Sequence, residues 1–357
     1  MSEVTHFLPD WASPPGATIS DILEERGQSA AEFARAMGDS VDNVQLLLIG
    51  SAKITNQVAD HLAGVLGVSA EFWLSRESQF RDGLARLTKN EEWLRDLPVG
   101  DLIKFKWIRS ATNAPEKIAA CLEFFGVPTV ADWWTRYEGG SRLAAFRKSE
   151  TFDSAEGAVL AWLRKGEIDG AVMPCEDWNP ERFRSVLPAI RALTRQKDPT
   201  VFVPELKKLC AQCGIAVVVA RTPSGCRASG ATRFLSGNKA LVMLSFRYLS
   251  DDHFWFTFFH EAGHLLLHNT KMLFLEGGDL CSGKEEQEAN DFASNQLVPP
   301  EYQAAMRAMP VDGRAVMRFA RQIGISPGIV VGQLQHFGVF TRRQLNNLKA
   351  RYNWIEE

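Results

Sequence analysis

The sequence has few of the features that place a protein outside the cytoplasm or in a membrane. Its first residues, "MSEVTHFLPDWASPPG", carry neither a basic segment nor an apolar stretch, so we expect no signal peptide. No apolar run approaches the roughly twenty residues of a membrane-spanning helix. The six cysteines are scattered along the chain, which predicts reduced thiols and no disulfide framework. These absences favour a cytoplasmic protein without membrane contact.

An excess of charge of one sign is also absent. The 40 Lys and Arg residues nearly balance the 43 Asp and Glu residues, and the net charge of −3 gives no overall attraction to nucleic acid. A chain of 357 residues, 45% hydrophobic and 23% charged, has room for two or three globular domains. Any contact with nucleic acid must therefore come from a local patch.

Residues 18–87 predict five short helices separated by turns. Polar residues suited to N-caps precede four of these helices: Ser29, Ser40, Thr55 and Ser69. A helix, a turn at "MGDS" and a second short helix form a helix-turn-helix pattern. The stretch "EERGQSAAEFARAMGDS" and the later "LGVSAEFWL" resemble the phage-repressor and antitoxin (XRE-type) class of helix-turn-helix domains. We therefore predict such a domain over residues 1–87.

The helix expected to read DNA, residues 40–49, departs from that class. It contains Asp42 and not one Lys or Arg. Across residues 18–87, six Lys and Arg face ten Asp and Glu, a net charge of −4. DNA affinity comes largely from neutralising phosphates. We therefore expect this domain to contact protein or to form a homodimer, while the DNA contact that the class implies remains an alternative.

In the rest of the chain, the sequence pattern changes from helical to a mixture of strands and helices. Residues 88–200 are expected to form a helical middle region. From 201 onwards, "GIAVVVAR" and the two arms of "GATRFLSGNKALVMLS" predict strands, and two long helices follow. Residues 301–357 are helical and basic, with eight Lys and Arg against four Asp and Glu. The predicted fold class is α+β, mostly α, with a small sheet in residues 201–357.

The stretch "FFHEAGHLLLHN" contains an HExxH motif at His260, Glu261 and His264. Residues four apart lie on one helix face, so both imidazoles can bind one zinc ion. Glu261 lies beside that face and can take a proton from an attacking water. The alternative is a pair of core histidines satisfied by hydrogen bonds. The helix is apolar on its other sides, where unpaired polar groups would be costly, so the pattern favours a metal site.

A catalytic zinc ion usually has three protein ligands. His268 is a poor third ligand, because it lies eight residues after His260, about 12 Å along the helix axis. A metzincin would need Gly at position 267 and His at position 270, where this sequence has Leu267 and Thr270. The following helix, "KEEQEAND", offers carboxylates instead. By spacing, the third ligand could be any of three residues: Glu285, Glu286 or Glu288.

"FTFFHEAGHLLLH" followed by "EEQEANDFASNQLVPP" resembles the ImmA/IrrE family of zinc metallopeptidases, a gluzincin group. The later segment "FARQIGISPGIVVGQL" is similar as well, and the resemblance covers about residues 140–350. It implies a zincin-like domain with a C-terminal helical subdomain over residues 201–357. The family's third ligand belongs to a Glu-x-x-(Ala or Cys)-Asn pattern, which implies Glu286 here, with Glu288 as the alternative. Asn290 is then an outer hydrogen-bonding partner of a ligand, and His268 is either a second outer partner or a structural residue.

This resemblance implies a zinc-dependent endopeptidase, with Mn²⁺ as an alternative ion. Its implied substrate is a helix-turn-helix repressor encoded nearby. Two other functions stay open: a non-proteolytic regulator or antitoxin-like protein that binds DNA or a partner, and a toxin or phage-defence effector.

The substrate-binding parts are less defined by the sequence. Zincins align substrate on a strand edge, and residues 239–245, "KALVMLS", are the expected strand. The candidates for stabilising the oxyanion are four residues, among which the sequence does not choose: Arg247, Tyr248, His253 and Tyr302.

Overall fold

The structure is a computed structural model that describes residues 11–138, 155–268, 274–275 and 283–354. The chain divides into two units. The first is Met1–Arg95 with Asn113–Ile118, and the second is Asp96–Thr112 with Ala119–Glu357. Most described residues are helical and one small sheet is present, which confirms the predicted α+β, mostly α, fold class.

The first unit is built on helices that pack through apolar faces. They are α1 (Pro15–Glu25), α2 (Ala30–Met37), α3 (Val41–Leu48), α4 (Asn56–Leu66) and α5 (Ala70–Asp96). Ile19, Phe33, Val44, Leu62 and Trp73 are buried together at the centre. This arrangement gives the predicted five-helix N-terminal region its core.

The predicted N-caps are present at the starts of these helices. Ser29 forms a capping box, in which its hydroxyl accepts from the Glu32 backbone N–H and the Glu32 carboxylate accepts from the Ser29 N–H. The Ser40 and Thr55 side chains accept backbone N–H groups of α3 and α4. The Ser69 hydroxyl accepts the Phe72 N–H at 3.3 Å.

Helix α5 is longer than predicted. We expected a short fifth helix and a boundary near residue 87, but α5 continues without a break to Asp96. The stretch from 79 to 96 contains no proline, and its one glycine, Gly83, lies against Ala12, where an added Cβ would be 3.2 Å from the Ala12 Cβ. With no strong breaker before Pro98, the helix has no local reason to end earlier.

Helices also dominate the rest of the chain. Those before the sheet are α6 (Val99–Lys104), α7 (Ala114–Phe125), α8 (Val130–Glu138), α9 (Glu156–Val172), α10 (Pro180–Leu193) and α11 (Pro199–Ala211). Those after the first three strands are α12 (Asp251–Leu267), α13 (Gly283–Leu297), α14 (Pro300–Arg307), α15 (Gly313–Ile323), α16 (Pro327–His336) and a 3₁₀ helix at Asn346–Leu348. The turn between α15 and α16 has Gly324 in the left-handed conformation and Ser326 as the N-cap of α16.

Four strands form one sheet in the described residues. They are β1 (Ile215–Val219), β2 (Gly230–Ser236), β3 (Lys239–Leu244) and β4 (Phe274–Leu275), in the order β1-β3-β2-β4. Strand β3 pairs in parallel with β1 and antiparallel with β2. The β2–β3 hairpin is the one predicted from "GATRFLSGNKALVMLS". Strand β4 pairs with β2 only at Ala231 and Thr232.

The two faces of the sheet are covered by different helices. Alternate residues point to opposite sides of a strand, so Val217 and Val242 join the core that contains Phe258 of α12. Their neighbours Val218 and Met243 join a second core with α9. Because β1 and β3 are covered on both faces, α12 lies against an apolar layer that fixes its position.

Helix α13 approaches α12 very closely at Gly263, within the HExxH segment. A Cβ added there would lie 3.1 Å from the Ala289 Cα and 3.2 Å from the Phe292 ring. A larger residue would push α13 away from α12. The absence of a side chain at Gly263, opposite the small Ala289, therefore lets the two helices bring their polar side chains together.

The N-terminus of α12 is buried among polar groups. Ser250 occupies the N-cap position, but its hydroxyl donates to Asp252 (2.7 Å) and makes no capping bond. The Asp251 carboxylate accepts from the Asp252 N–H and the Ala350 N–H, each at 3.0 Å, and from the Ser326 hydroxyl. These bonds tie the last residues of the described chain to the start of α12.

Burial raises the pKa of Asp251 to about 6, although the Ser326 hydroxyl and two backbone N–H groups partly oppose this shift and the neighbouring Asp252 adds to it. An acid with a raised pKa in the folded state binds more protons when folded, so its contribution to stability falls as pH rises from about 4 to 6. We predict that Asp251→Asn removes this loss. Relative to wild type, the free energy of unfolding of the variant should increase by about 2 kcal/mol between pH 4 and pH 7.

Denaturant unfolding at a series of pH values would measure this difference. The Asn side-chain oxygen can still accept the backbone N–H groups of Asp252 and Ala350. The contributions of other titrating groups are the same in both proteins and cancel in the comparison. A difference between variant and wild type that does not change with pH would contradict the assignment.

Two further predictions from composition can be compared with the structure. No helix of the described residues is long and apolar enough to cross a membrane. The cysteines described are free thiols, and Cys210 and Cys213 are both buried in the core of the second unit. The isolated CxxC spacing is therefore part of the hydrophobic packing. Cys281 lies outside the described residues.

Candidate metal centre

Helix α12 carries the HExxH motif on its buried central turns. His260 and His264 are 1% and 2% exposed, and Glu261 is fully buried. Their spacing of one helical turn directs both imidazoles toward α13. The Nε2 atoms of His260 and His264 are 3.0 Å apart. Two nitrogen donors thus converge on one point, as the motif predicts.

Glu286 of α13 completes a group of three potential ligands. Its carboxylate oxygens lie 3.3 Å from His260 Nε2 and 3.4 Å from His264 Nε2. Within the described residues, His260, His264 and Glu286 form a cluster able to hold a metal ion. The close approach of the helices at Gly263 makes this contact between side chains possible.

The donor set and its spacing fit a divalent metal. Ligand atoms about 2.0–2.2 Å from a tetrahedral zinc ion lie about 3.3–3.6 Å from one another, and the three separations here are 3.0, 3.3 and 3.4 Å. Burial lowers the pKa of His264, and the nearby His260 adds to this effect while Glu286 opposes it. The neutral imidazole, which is the metal-binding form, is thereby favoured.

The outer nitrogens of the two histidines have different partners. His260 Nδ1 lies 3.0 Å from the Asn290 side-chain oxygen. In the tautomer that leaves Nε2 free for a metal, Nδ1 carries the proton and donates to Asn290. This contact fixes the ring orientation, the role commonly played by the outer partner of a metal-binding histidine.

His264 starts a longer chain of contacts. Its Nδ1 lies 3.0 Å from His268 Nδ1, and His268 Nε2 lies 3.1 Å from a Glu288 oxygen. If His264 Nδ1 donates, His268 accepts through Nδ1 and donates from Nε2 to Glu288. The hydrogen bond from His268, together with Lys284, lowers the pKa of Glu288. A charged Glu288 therefore favours the His264 tautomer that leaves Nε2 available.

The three glutamates left open by spacing take different positions. Glu286 faces the imidazole Nε2 atoms, whereas Glu288 contacts His268 and Lys284. Glu285 is not part of the three-residue cluster. His268 is also outside that cluster and lies behind His264.

Glu261 lies next to the metal cluster along the helix but is not one of its members. Its side chain packs against the start of β2, where an added Cβ at Gly230 would lie 2.6 Å from Glu261 Oε1. A residue with a side chain at this position would displace the carboxylate. Gly230 thus holds open the space that Glu261 occupies, a role that the sequence analysis did not assign.

The expectation that residues 239–245 form the substrate-binding edge is wrong. Strand β3 lies inside the sheet, with β1 on one side and β2 on the other, so its backbone groups are already paired. The sequence pattern identified the strand correctly. Strand order depends on contacts between distant segments and could not be obtained from the local pattern.

The four oxyanion candidates lie in different places. Tyr248 stacks on His253, with ring centroids 4.2 Å apart, and the Arg247 guanidinium lies over the Tyr248 ring. Tyr302 packs against Phe319. His253 is on α12, two turns before His260. The assignment of an oxyanion-stabilising residue stays a prediction.

A buried HExxH helix joined by a glutamate from the next helix is an arrangement suited to a metallopeptidase-type domain. The IrrE N-terminal-like domain family (Peptidase_M78) matches residues 214–334, which include this helix pair. The "Uncharacterized HTH-type transcriptional regulator YddM" of Escherichia coli (strain K12) is 35% identical over 83 residues, which are 23% of this chain and 88% of that protein.

A solved structure, described as an antidote protein of a plasmid maintenance system from Nostoc punctiforme, is 30% identical to this chain. The match covers 23% of this chain and 89% of that one, with a TM-score of 0.22. The family match shows an IrrE N-terminal-like, metallopeptidase-type domain over residues 214–334, and the similarity to the regulator shows a helix-turn-helix-type N-terminal region. Both were predicted from the motifs.

Proposed function

We propose that this protein is a zinc-dependent endopeptidase, with Mn²⁺ as an alternative ion. The observation that supports this most strongly is the convergence of His260, His264 and Glu286, with the buried Glu261 beside them. A purely structural zinc site would commonly have four protein ligands. The described cluster has three, which leaves a position for the reaction.

The metal, when bound, supplies Lewis-acid polarisation of the scissile carbonyl and lowers the pKa of a water molecule. The chain's own residues carry out the other steps. Glu261 takes a proton from the attacking water and delivers it to the leaving amine. Asn290 and the His268–Glu288 pair hold the two imidazoles in the orientation and tautomer that this chemistry needs.

The proposed substrate is a helix-turn-helix repressor encoded near this protein's gene, whose cleavage would induce stress or mobile-element genes. Support comes from the IrrE N-terminal-like domain together with the regulator-like N-terminal region. The direct test is incubation of the purified, metal-loaded protein with neighbouring repressors. Cleavage that a chelator abolishes and added zinc restores would support the proposal. An intact repressor after incubation with fully metal-loaded protein would contradict it.

The N-terminal unit is proposed to dock or dimerise. Along α3 and its C-cap, the segment expected to read DNA, Val41, Leu46 and Ile49 are 40%, 45% and 66% exposed. An exposed apolar helix without Lys or Arg suits a protein partner better than a phosphate backbone.

We predict that the full-length protein binds DNA weakly and without sequence preference. Gel shifts with promoter DNA of its own operon, at physiological salt, would measure this, with random DNA of equal length as control. Tight binding to the promoter alone would contradict the docking role. A shift from monomer to dimer that Ile49→Glu prevents would support it.

A further inference from the structure

A cleft of about 580 Å³ lies beside the N-terminal half of α12, in the described part of the second unit. Its walls come from α12, the end of α16 and the segment that follows. The charged residues and histidines lining it are Asp252, His253, His336, Arg342, Lys349 and Arg351. Three permanent cations thus face one carboxylate.

The single carboxylate is already bound. Lys349 Nζ lies 2.6 Å from Asp252, both side chains are only 8% exposed, and Ser250 donates to the other Asp252 oxygen. This pair is internally neutral. Arg342 and Arg351 are exposed, and neither has a carboxylate within ion-pair distance among the described residues. The cleft therefore presents two uncompensated guanidinium groups to solvent.

The positive charges near the cleft also affect the pKa of His253. Partial desolvation is the main cause that lowers the pKa of His253, and the positive charges of Lys349, Arg351 and Arg247 lower it further, while Asp252 opposes them. The imidazole is therefore neutral near pH 7, and the excess positive charge of the cleft comes from the arginines.

The cleft is close to the metal-binding cluster. His253 precedes His260 by seven residues, so the two lie on the same side of α12, about 10 Å apart along its axis. On the opposite wall, the His336 ring is 6.4 Å from that of Phe256, which is in turn 6.4 Å from His260. One aromatic ring separates this wall from a metal ligand.

A small recess of about 10 Å³ adjoins the cleft along α12. The recess shares Tyr248 and His253 with the cleft and reaches Thr257, one turn farther along α12. Thr257 and Glu261 flank the same point, since a Cβ added at Gly230 would touch both side chains. The cleft, the recess and Glu261 therefore follow one side of α12.

We propose that this cleft binds an acidic side chain of the protein substrate, about three residues from the bond that is cleaved. The proposal rests on the endopeptidase function. Guanidinium groups bind carboxylates through paired, charge-assisted hydrogen bonds. An extended peptide advances about 3.3 Å per residue, so about 10 Å corresponds to three residues. Arg342 and Arg351 then select substrates with Asp or Glu at that position.

The test measures binding without cleavage. Full-length, metal-loaded Glu261→Gln protein is titrated into two short fluorescent peptides, one rich in glutamate and the other with glutamine at the same positions. Fluorescence anisotropy should show tighter binding of the glutamate peptide, on the order of tenfold, and the preference should weaken as salt rises. The added double substitution Arg342→Gln/Arg351→Gln should abolish the preference.

The matched control is Arg321→Gln/Arg343→Gln, which removes the same charge from exposed positions outside the cleft. The control should keep the preference. The proposal would be overturned if the two peptides bound equally well. It would also be overturned if both double variants lost the preference for the glutamate peptide to the same extent. If calorimetry finds that inorganic phosphate binds through Arg342 and Arg351 while the glutamate peptide does not bind, the cleft is a phosphate site and the substrate assignment is wrong.

Failure of the endopeptidase proposal would be seen separately. It would appear as wild-type protein that cleaves no repressor, even though the inactive variant still distinguishes the two peptides.

Discussion

Glu261→Gln should reduce cleavage of the repressor by on the order of a thousandfold or more, while metal content and fold are unchanged. Glutamine has the size of glutamate but cannot take the proton from the attacking water or return it to the leaving amine. Because Glu261 is outside the group of potential ligands, its replacement leaves the donors of His260, His264 and Glu286 in place. Cleavage rates should be measured with equal amounts of metal-loaded protein.

A suitable control is Glu301→Gln, at an exposed position on α14. It removes one carboxylate from the same unit and should cleave at the wild-type rate. Histidine variants cannot serve this purpose, because loss of the metal could unfold the region. A folded, metal-loaded Glu261→Gln protein that still induces the neighbouring genes would refute the peptidase function.

Local sequence signals were sufficient for most of the helices. The caps at Ser29, Ser40 and Thr55 begin helices because their side chains accept backbone N–H groups within the next three residues. The HExxH motif is similarly local, since a helix places residues four apart on one face. Features that depend on a few consecutive residues were therefore predictable, including the convergence of two imidazoles.

The choice among the glutamates needed more than spacing. Glu286 and Glu288 are two residues apart on one helix, and only the packing of α13 on α12 determines which faces the imidazoles. That packing depends on Gly263 opposite Ala289, a contact between separate segments. The resemblance to a known family implied Glu286, whereas helix periodicity alone left the choice between the glutamates open.

Other features of the site come from parts of the chain that are far apart in sequence. Gly230 leaves room for Glu261, and the cleft unites α12 with residues near the C-terminal end of the described chain. The basic character of residues 301–357 was visible in the sequence. The position of these basic side chains beside α12 was not visible in the sequence. It depends on the polar contacts of Asp251 with Ser326 and Ala350.

Glu286→Ala should release the metal, whereas Glu288→Ala should retain it with lower affinity. Glu286 is the carboxylate that faces both imidazole Nε2 atoms, and its removal leaves two protein ligands. Glu288 influences the metal ligand His264 only indirectly, because it contacts His268 and His268 contacts His264. Loss of such an outer partner typically lowers metal affinity about ten- to a hundredfold. Competition with a chromophoric chelator, alongside elemental analysis, would measure both affinities.

The variant His268→Ala further distinguishes a direct metal ligand from a residue that only orients a ligand. If Glu288 acts only by orienting His268, then Glu288→Ala and His268→Ala should lower the affinity by similar amounts. The double variant should be little worse than either single variant, because both changes remove the same chain of contacts. Complete loss of metal in Glu288→Ala, with normal binding in Glu286→Ala, would show that Glu288 is the third ligand and that the packing of α13 described here is not the one that binds metal.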